Sequence, residues 1–88
     1  MSYQTQYSHR AAKLLEGLDR ATRQRVERRL DELEEKPYDP RVSKPLKGLA
    51  GMRSSRVGDW RILYTIQENI KTILVVAIRP RGKAYRNL

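Results

Sequence analysis

Apolar and polar positions alternate most regularly in the second half of the chain. Four apolar side chains recur there at every second residue: Trp60, Ile62, Tyr64 and Ile66. This period predicts a strand over residues 60–67 with one apolar face, which we expect to pack in the core. Residues 73–78 are apolar at every position, which predicts a strand over residues 71–78 that is buried on both faces.

Turn signals mark off a third strand and join the three into a sheet. Gly58 and Asp59 separate residues 60–67 from a preceding strand that we place at residues 52–57, and Glu68-Asn69 forms the next hairpin turn. The meander predicts an antiparallel sheet whose central strand is the last one.

Two helices are predicted before these strands. Apolar side chains of residues 9–18 fall at i, i+3, i+4 and i+7, and Ser8 is a suitable N-cap. Asp19 can cap a second helix with a narrow apolar stripe, which ends at Lys36-Pro37. Aromatic and polar residues alternate before the helices, so an N-terminal strand is expected within residues 2–7. The predicted fold class is α+β: an N-terminal strand, a helical hairpin across one sheet face, the three-strand meander and a basic C-terminal tail.

Length and composition narrow the range of functions. The 88 residues suffice for one domain with one main core. Cysteine is absent and His9 is the only histidine, so disulfides and thiolate or imidazole-cluster metal sites are excluded and no cofactor is expected. The longest apolar run is six residues and the first ten are polar, so we expect a cytoplasmic protein without a membrane partner.

Charge is distributed unevenly along the chain. Residues 1–40 hold 8 Lys/Arg and 8 Asp/Glu, whereas residues 41–88 hold 11 Lys/Arg and only Asp59 and Glu68. Such an excess attracts polyanions, which favours nucleic acid, the ribosome or an acidic protein as the partner. A solvated basic face that only keeps the protein soluble is the alternative.

Several strings of residues resemble one protein family. They are KPYDP at 36–40, PLKGL at 45–49 and RVGDWRILY at 56–64, followed by a Val/Ile strand that closes on an arginine and by a late tyrosine. In this order they resemble the RelE/ParE toxin superfamily, and within it the RelE-type messenger-RNA interferases. The resemblance implies a compact domain that enters the A site of the 70S ribosome and cuts the messenger RNA there without a metal ion. It also implies a cognate RelB-like antitoxin, with which the toxin represses its operon, so that operator DNA is contacted only through the complex.

The resemblance also implies site residues. Arg61 matches the family's phosphate-binding arginine, Arg79 a second catalytic arginine, Tyr85 the late active-site tyrosine and Arg56 a basic position of the preceding strand. Some members carry paired lysines just before that position. Here the corresponding residues are Met52, Arg53, Ser54 and Ser55, which leaves the general acid and base open.

The residue chemistry is compatible with RNA cleavage by charge stabilisation. An arginine is a poor proton donor, but its planar fork can grip a phosphate with two hydrogen bonds. Tyr85 can act as a base only if neighbouring cations lower its pKa, and otherwise can stack on a nucleobase. Further basic residues are expected to bind the RNA or ribosome backbone: Arg53, Lys44, Lys47, Arg81 and Lys83.

Two other functions share this sequence pattern. ParE-type members of the superfamily poison DNA gyrase on the same scaffold and have no nuclease activity. A simple basic nucleic-acid-binding module is the other alternative, although the aromatic residues are few and are predicted to face inward.

Overall fold

The computed structural model describes residues 2–80. Its elements, in chain order, are β1 (Gln4–Tyr7), α1 (His9–Gly17), α2 (Arg20–Glu35), β2 (Lys44–Pro45), β3 (Met52–Val57), β4 (Trp60–Gln67) and β5 (Thr72–Pro80). The strands form a five-stranded mixed sheet in the order β1-β5-β4-β3-β2. β1 is parallel to β5 and every other pairing is antiparallel.

The predicted α+β arrangement is confirmed, but the prediction that the last strand is central is wrong. β4 is the middle strand. The short strand β2 pairs with β3 on one side, and β1 pairs with β5 on the other. Two residues flanked by loop are too short to give a period in the sequence, so β2 was not predicted.

Apolar clusters lie on both faces of the sheet. On one face, α1 and α2 pack over the sheet through Ala11, Leu15, Val26, Leu30 and Leu33, against side chains that include Ile62, Tyr64, Ile73 and Val75. On the other face, Leu46, Leu63 and Ala77 form a smaller cluster. The predicted alternation of β4 is confirmed, since Ile62 and Tyr64 face the helices and Leu63 faces away.

The predicted N-caps are confirmed for both helices. Ser8 Oγ accepts a hydrogen bond from the backbone N–H of Ala11 at 3.1 Å, and Asp19 Oδ2 accepts one from Thr22 at 3.1 Å. These bonds satisfy backbone donors that would otherwise lack a partner at the first turn of each helix.

A β-bulge interrupts the pairing of β4 with β5. Leu63 is opposite Ala77, but the next residue, Tyr64, is opposite Val75, so Val76 is an extra residue in β5. Side chains alternate between the faces of a strand, and one extra residue therefore reverses the orientation of everything after it. Ile73 and Val75 face the helices, whereas Ala77 and Arg79 face the opposite side.

One carboxylate connects three segments at the end of the sheet. Glu68 accepts hydrogen bonds from the hydroxyls of Tyr3 (2.9 Å) and Tyr38 and from Nζ of Lys71 (3.1 Å). These hydrogen bonds lower the pKa of Glu68, and the bond from Tyr38 has the largest effect. The bond between Tyr38 and Glu68 also raises the pKa of Tyr38 to about 12. The network fixes the connection after α2 to the β4–β5 turn.

Two glycines, one in the β3–β4 turn and one at the end of α1, are predicted to respond in opposite ways to substitution by alanine. Gly58 has φ +59°, so Gly58→Ala should lower the free energy of unfolding by about 1–2 kcal/mol. Gly17 ends α1 with nothing within 4 Å of an added Cβ, so Gly17→Ala should raise it by about 0.5–1 kcal/mol. Urea unfolding measures both: a neutral Gly58→Ala would contradict the positive φ in the turn, and a destabilised Gly17→Ala would contradict the helical, uncrowded position of Gly17.

The Glu68 network predicts acid sensitivity. Because folding lowers the pKa of Glu68 from its ordinary 4.5, the network's stabilisation is complete above that value and is lost as the pH falls through the lower, folded one. Between about pH 6 and pH 3, Glu68→Gln should therefore lose less stability than the wild type, although it is less stable at the upper end. Glu35→Gln, an exposed carboxylate on α2, is the control and should follow the wild-type curve, as measured by thermal unfolding.

Candidate functional site

Three arginines occupy directly paired positions on adjacent strands. Arg56 of β3 is opposite Arg61 of β4, and Arg61 is opposite Arg79 of β5. We call these residues the arginine row. By strand alternation all three side chains leave the sheet face that points away from the helices. The structure therefore brings together three of the four residues that the resemblance marks as catalytic.

Local backbone features place these arginines in line. A two-residue turn at Gly58 and Asp59 joins β3 to β4, so Val57 pairs with Trp60 and the next pair is Arg56 with Arg61. The bulge at Val76 turns Arg79 to the same face. Without the extra residue, Arg79 would share the helix-covered face with Val75, and the row would contain only two arginines.

The row carries an electrostatic cost in the free protein. Like charges directly opposite each other on neighbouring strands are destabilising. The Nε atoms of Arg61 and Arg79 are buried, and that of Arg79 has no hydrogen-bond partner within residues 2–80. A buried donor without an acceptor costs about 1–3 kcal/mol, so an anion with several acceptor oxygens would relieve both costs.

A basic cavity adjoins the row. It has a volume of about 460 Å³, and its lining residues are Arg29, Pro40, Arg41, Val42, Ser43, Lys44, Ser54, Arg56, Gly58 and Arg61. We call it the sheet pocket. Five of these residues are basic, and none of the lining that the structure describes carries a carboxylate or an imidazole. Asp39 offsets part of the charge through an ion pair with Arg41 at 2.9 Å, which lowers the pKa of Asp39.

Arg29 is a site residue that the sequence analysis missed. Its Nη1 donates to Ser55 Oγ at 2.9 Å and to the carbonyl oxygen of Arg56 at 2.5 Å, and so fixes α2 to β3 beside Arg56 of the row. Glu32 forms an ion pair with it at 3.4 Å. Its position beside the apolar stripe of α2, three residues after Val26, is the signal that could have placed it over the sheet edge.

The other predicted binding residues are distributed differently. Lys44 lines the sheet pocket, and Lys47 is exposed on the connection between β2 and β3 without lining it. Arg53 pairs with Tyr64 and is thus on the opposite face from the row. There its Nε donates to Ser43 Oγ at 2.7 Å, and its guanidinium lies 5.1 Å from the centre of the Tyr38 ring. Arg81, Lys83 and Tyr85 lie outside the described residues.

The arrangement can bind a phosphate and stabilise additional negative charge on it. Guanidinium groups remain protonated at neutral pH and present paired donors that match phosphate oxygens. Across residues 2–80, no group of three acidic or histidine side chains could hold a metal ion, and no helix is long and apolar enough to cross a membrane.

A family model and solved structures identify the relatives of this chain. The model described as ParE toxin of type II toxin–antitoxin system, parDE, matches residues 5–85. The chain belongs to the RelE/ParE superfamily of toxins. The confirmed resemblance extends over most of the sequence, including both helices, β2 to β5 and all of β1 except Gln4. No curated protein matches this toxin by sequence.

Solved structures of RelE toxins share the fold. The archaeal RelE–RelB complex from Pyrococcus horikoshii is 27% identical, covering 96% of this chain and 100% of the other, with a TM-score of 0.79. A RelBE toxin–antitoxin complex from Mycobacterium tuberculosis is 30% identical over 92% of this chain and 100% of the other, with a TM-score of 0.78. A free E. coli RelE variant is 19% identical over 96% of this chain and 88% of the other, with a TM-score of 0.81. At this identity the similarity shows the common fold alone.

The row predicts that loss of one arginine stabilises the free toxin. Arg79→Met keeps the apolar stem and removes both the unpartnered donor and the charge opposite Arg61. It should raise the free energy of unfolding by about 0.5–1 kcal/mol at low salt. Urea unfolding without and with sulfate tests this, because sulfate should stabilise the wild type more than the variant.

The same substitution at an exposed position is the control. Arg10→Met on α1 should change stability by less than about 0.5 kcal/mol and leave the sulfate effect intact. A destabilised Arg79→Met at low salt would mean that Arg79 is already well paired in the free protein.

Proposed function

We propose that this toxin is a metal-independent endoribonuclease that cuts messenger RNA in the A site of the ribosome. The observation that supports the proposal is the arginine row beside a basic pocket of about 460 Å³. Arginines from three strands converge where one phosphodiester could be held. The similar structure from Pyrococcus horikoshii is a complex of RelE with RelB, which favours the RelE-type activity for this chain. This function requires a cytoplasmic protein.

The row would act on the phosphate during cleavage. The ribose 2′-hydroxyl attacks the adjacent phosphorus, so that the new bond to the 2′-oxygen forms and the bond to the 5′-oxygen breaks. Negative charge builds on the non-bridging oxygens during this step. Arg56, Arg61 and Arg79 donate hydrogen bonds to those oxygens, and donors fixed in place before the reaction lower the barrier most.

The resemblance to the family implies that Tyr85 is an active-site residue, and in this proposal it is a candidate for one of the two proton transfers. A base must take the proton of the 2′-hydroxyl and an acid must supply one to the leaving 5′-oxygen. Arginines cannot act as the base because they stay charged. A site with so few acid–base groups depends on exact placement of its substrate, and the ribosome would supply that placement. Little cleavage of naked RNA is therefore expected.

A RelB-like antitoxin is the proposed partner. The relatives from Pyrococcus horikoshii and Mycobacterium tuberculosis are structures of toxin–antitoxin complexes. The basic sheet pocket favours an acidic segment of such a partner, because opposite charges steer association. Operator DNA would be contacted through the toxin–antitoxin complex.

Poisoning of DNA gyrase is the second candidate function. It is favoured by the family model that matches the chain, which is described as a ParE toxin. A gyrase poison has no need of a phosphate-activating row, so its toxicity would survive the loss of Arg61.

Substitutions in the row discriminate between the two functions. Arg61→Ala and Tyr85→Phe should each reduce cleavage of translated messenger RNA by about 100-fold or more, since each removes a group that acts in the transition state. Primer extension on transcripts from a translation extract measures this, with Arg10→Ala as the control. Unchanged growth arrest by Arg61→Ala, accompanied by a DNA-damage response, would contradict the nuclease and support the gyrase poison.

A further inference from the structure

A second basic cavity lies on the other side of the β3–β4 turn. Its volume is about 160 Å³, and it is lined by Arg25, Arg28, Arg29, Glu32, Val57 and Gly58. We call it the helix pocket. It shares Arg29 and Gly58 with the sheet pocket. The two cavities therefore adjoin at the turn and form one basic path from α2 to the arginine row.

The glycine of the turn makes room for this path. A Cβ on Gly58 would lie 2.9 Å from Nη2 of Arg25, closer than nonbonded atoms normally approach. The guanidinium of Arg25 thus rests against bare backbone, close to Arg56, whose Nε donates to the carbonyl oxygen of Gly58 at 3.2 Å. Arg25 and Arg56 approach the same turn from opposite sides.

The charges in the helix pocket are mostly uncompensated. Arg25 and Arg28 are exposed, and neither forms an ion pair in the described part of the chain. Glu32 is the single carboxylate of the lining and forms its ion pair with Arg29. Three arginines against one glutamate leave the pocket positive, and no aromatic side chain lines it, so it would bind charge without stacking on bases.

We propose that the helix pocket binds a backbone phosphate of the same single-stranded RNA whose neighbouring phosphate lies at the arginine row. The inference rests on the proposed nuclease function and extends it to the flanking nucleotides. Two adjoining pockets suit consecutive phosphates of one strand. Because it touches no base, the helix pocket adds affinity that is independent of sequence and falls steeply with salt.

Binding of oligonucleotides of two lengths tests the proposal. The probes are an uncleavable 2′-O-methyl dinucleotide, whose single internucleotide phosphate can occupy only one of the two pockets, and an uncleavable 2′-O-methyl oligoribonucleotide of about ten nucleotides. Wild-type toxin is compared with Arg25→Gln/Arg28→Gln and with Arg20→Gln/Arg23→Gln. The second pair removes the same charge from the same helix but lines neither pocket. Thermal unfolding checks that each protein is folded.

The expected result is a loss of affinity for the long probe alone, and only in Arg25→Gln/Arg28→Gln. Arg25→Gln/Arg28→Gln should bind the ten-nucleotide probe about tenfold more weakly, with the slope of log K against log salt reduced by about 0.7 for the one lost phosphate contact. Its affinity for the short probe, and both affinities of the control pair, should stay within about twofold of wild type. Equal losses for the two lengths, or for the two variants, would overturn the subsite.

Cleavage in the translation extract separates this outcome from failure of the proposed function. If the wild type cuts translated RNA but the two variants bind the long probe equally, the nuclease stands and the helix pocket is not a subsite. If the wild type does not cut, but only Arg25→Gln/Arg28→Gln loses affinity for the long probe, the pocket stands as an RNA site and the nuclease assignment fails.

Discussion

One extra residue in β5 decides what the far face of the sheet can do. Val76 shifts the alternation so that Arg79 joins Arg61, while Ile78 turns back into the helix-side core. Ser8 holds the bulge, because its hydroxyl donates to the carbonyl oxygen of Val76 at 2.7 Å and also caps α1. The start of the helical hairpin and the end of the arginine row are therefore positioned by the same side chain.

Placing three arginines side by side lowers the stability of the fold, and the two apolar clusters offset this cost. β4 is covered on one face by the helices, and on the other Leu46 and Ala77 pack around Leu63. Apolar packing on both faces therefore holds the strand that carries Arg61. Repulsion between like charges is typical of functional sites, where a ligand can supply the opposite charge.

The sequence predicted the elements better than it predicted their orientation. The bounds of β3 and β4 and both helix caps follow from alternation and capping residues, which are local signals. The bulge could not be predicted, because residues 73–78 are apolar throughout and a slip of one residue leaves that pattern unchanged. The same limit applies to Arg53 and Arg56, both basic residues of β3, whose faces are set only by the pairing with Tyr64 and Arg61.

Acidic and basic side chains are separated on the surface of α2 even where they alternate in the sequence. Residues 1–40 are neutral as a whole, yet one flank of α2 presents Arg25, Arg28 and Arg29 to the β3–β4 turn. Its other flank faces β1, where burial, and then the carboxylates of Glu27, Glu34 and Asp31, raise the pKa of Tyr7. The helix thus has positive side chains on the flank beside the β3–β4 turn and negative side chains on the flank beside β1. Its basic flank extends the positive surface formed by the second half of the chain, while its acidic flank is kept on the β1 side, away from the arginine row.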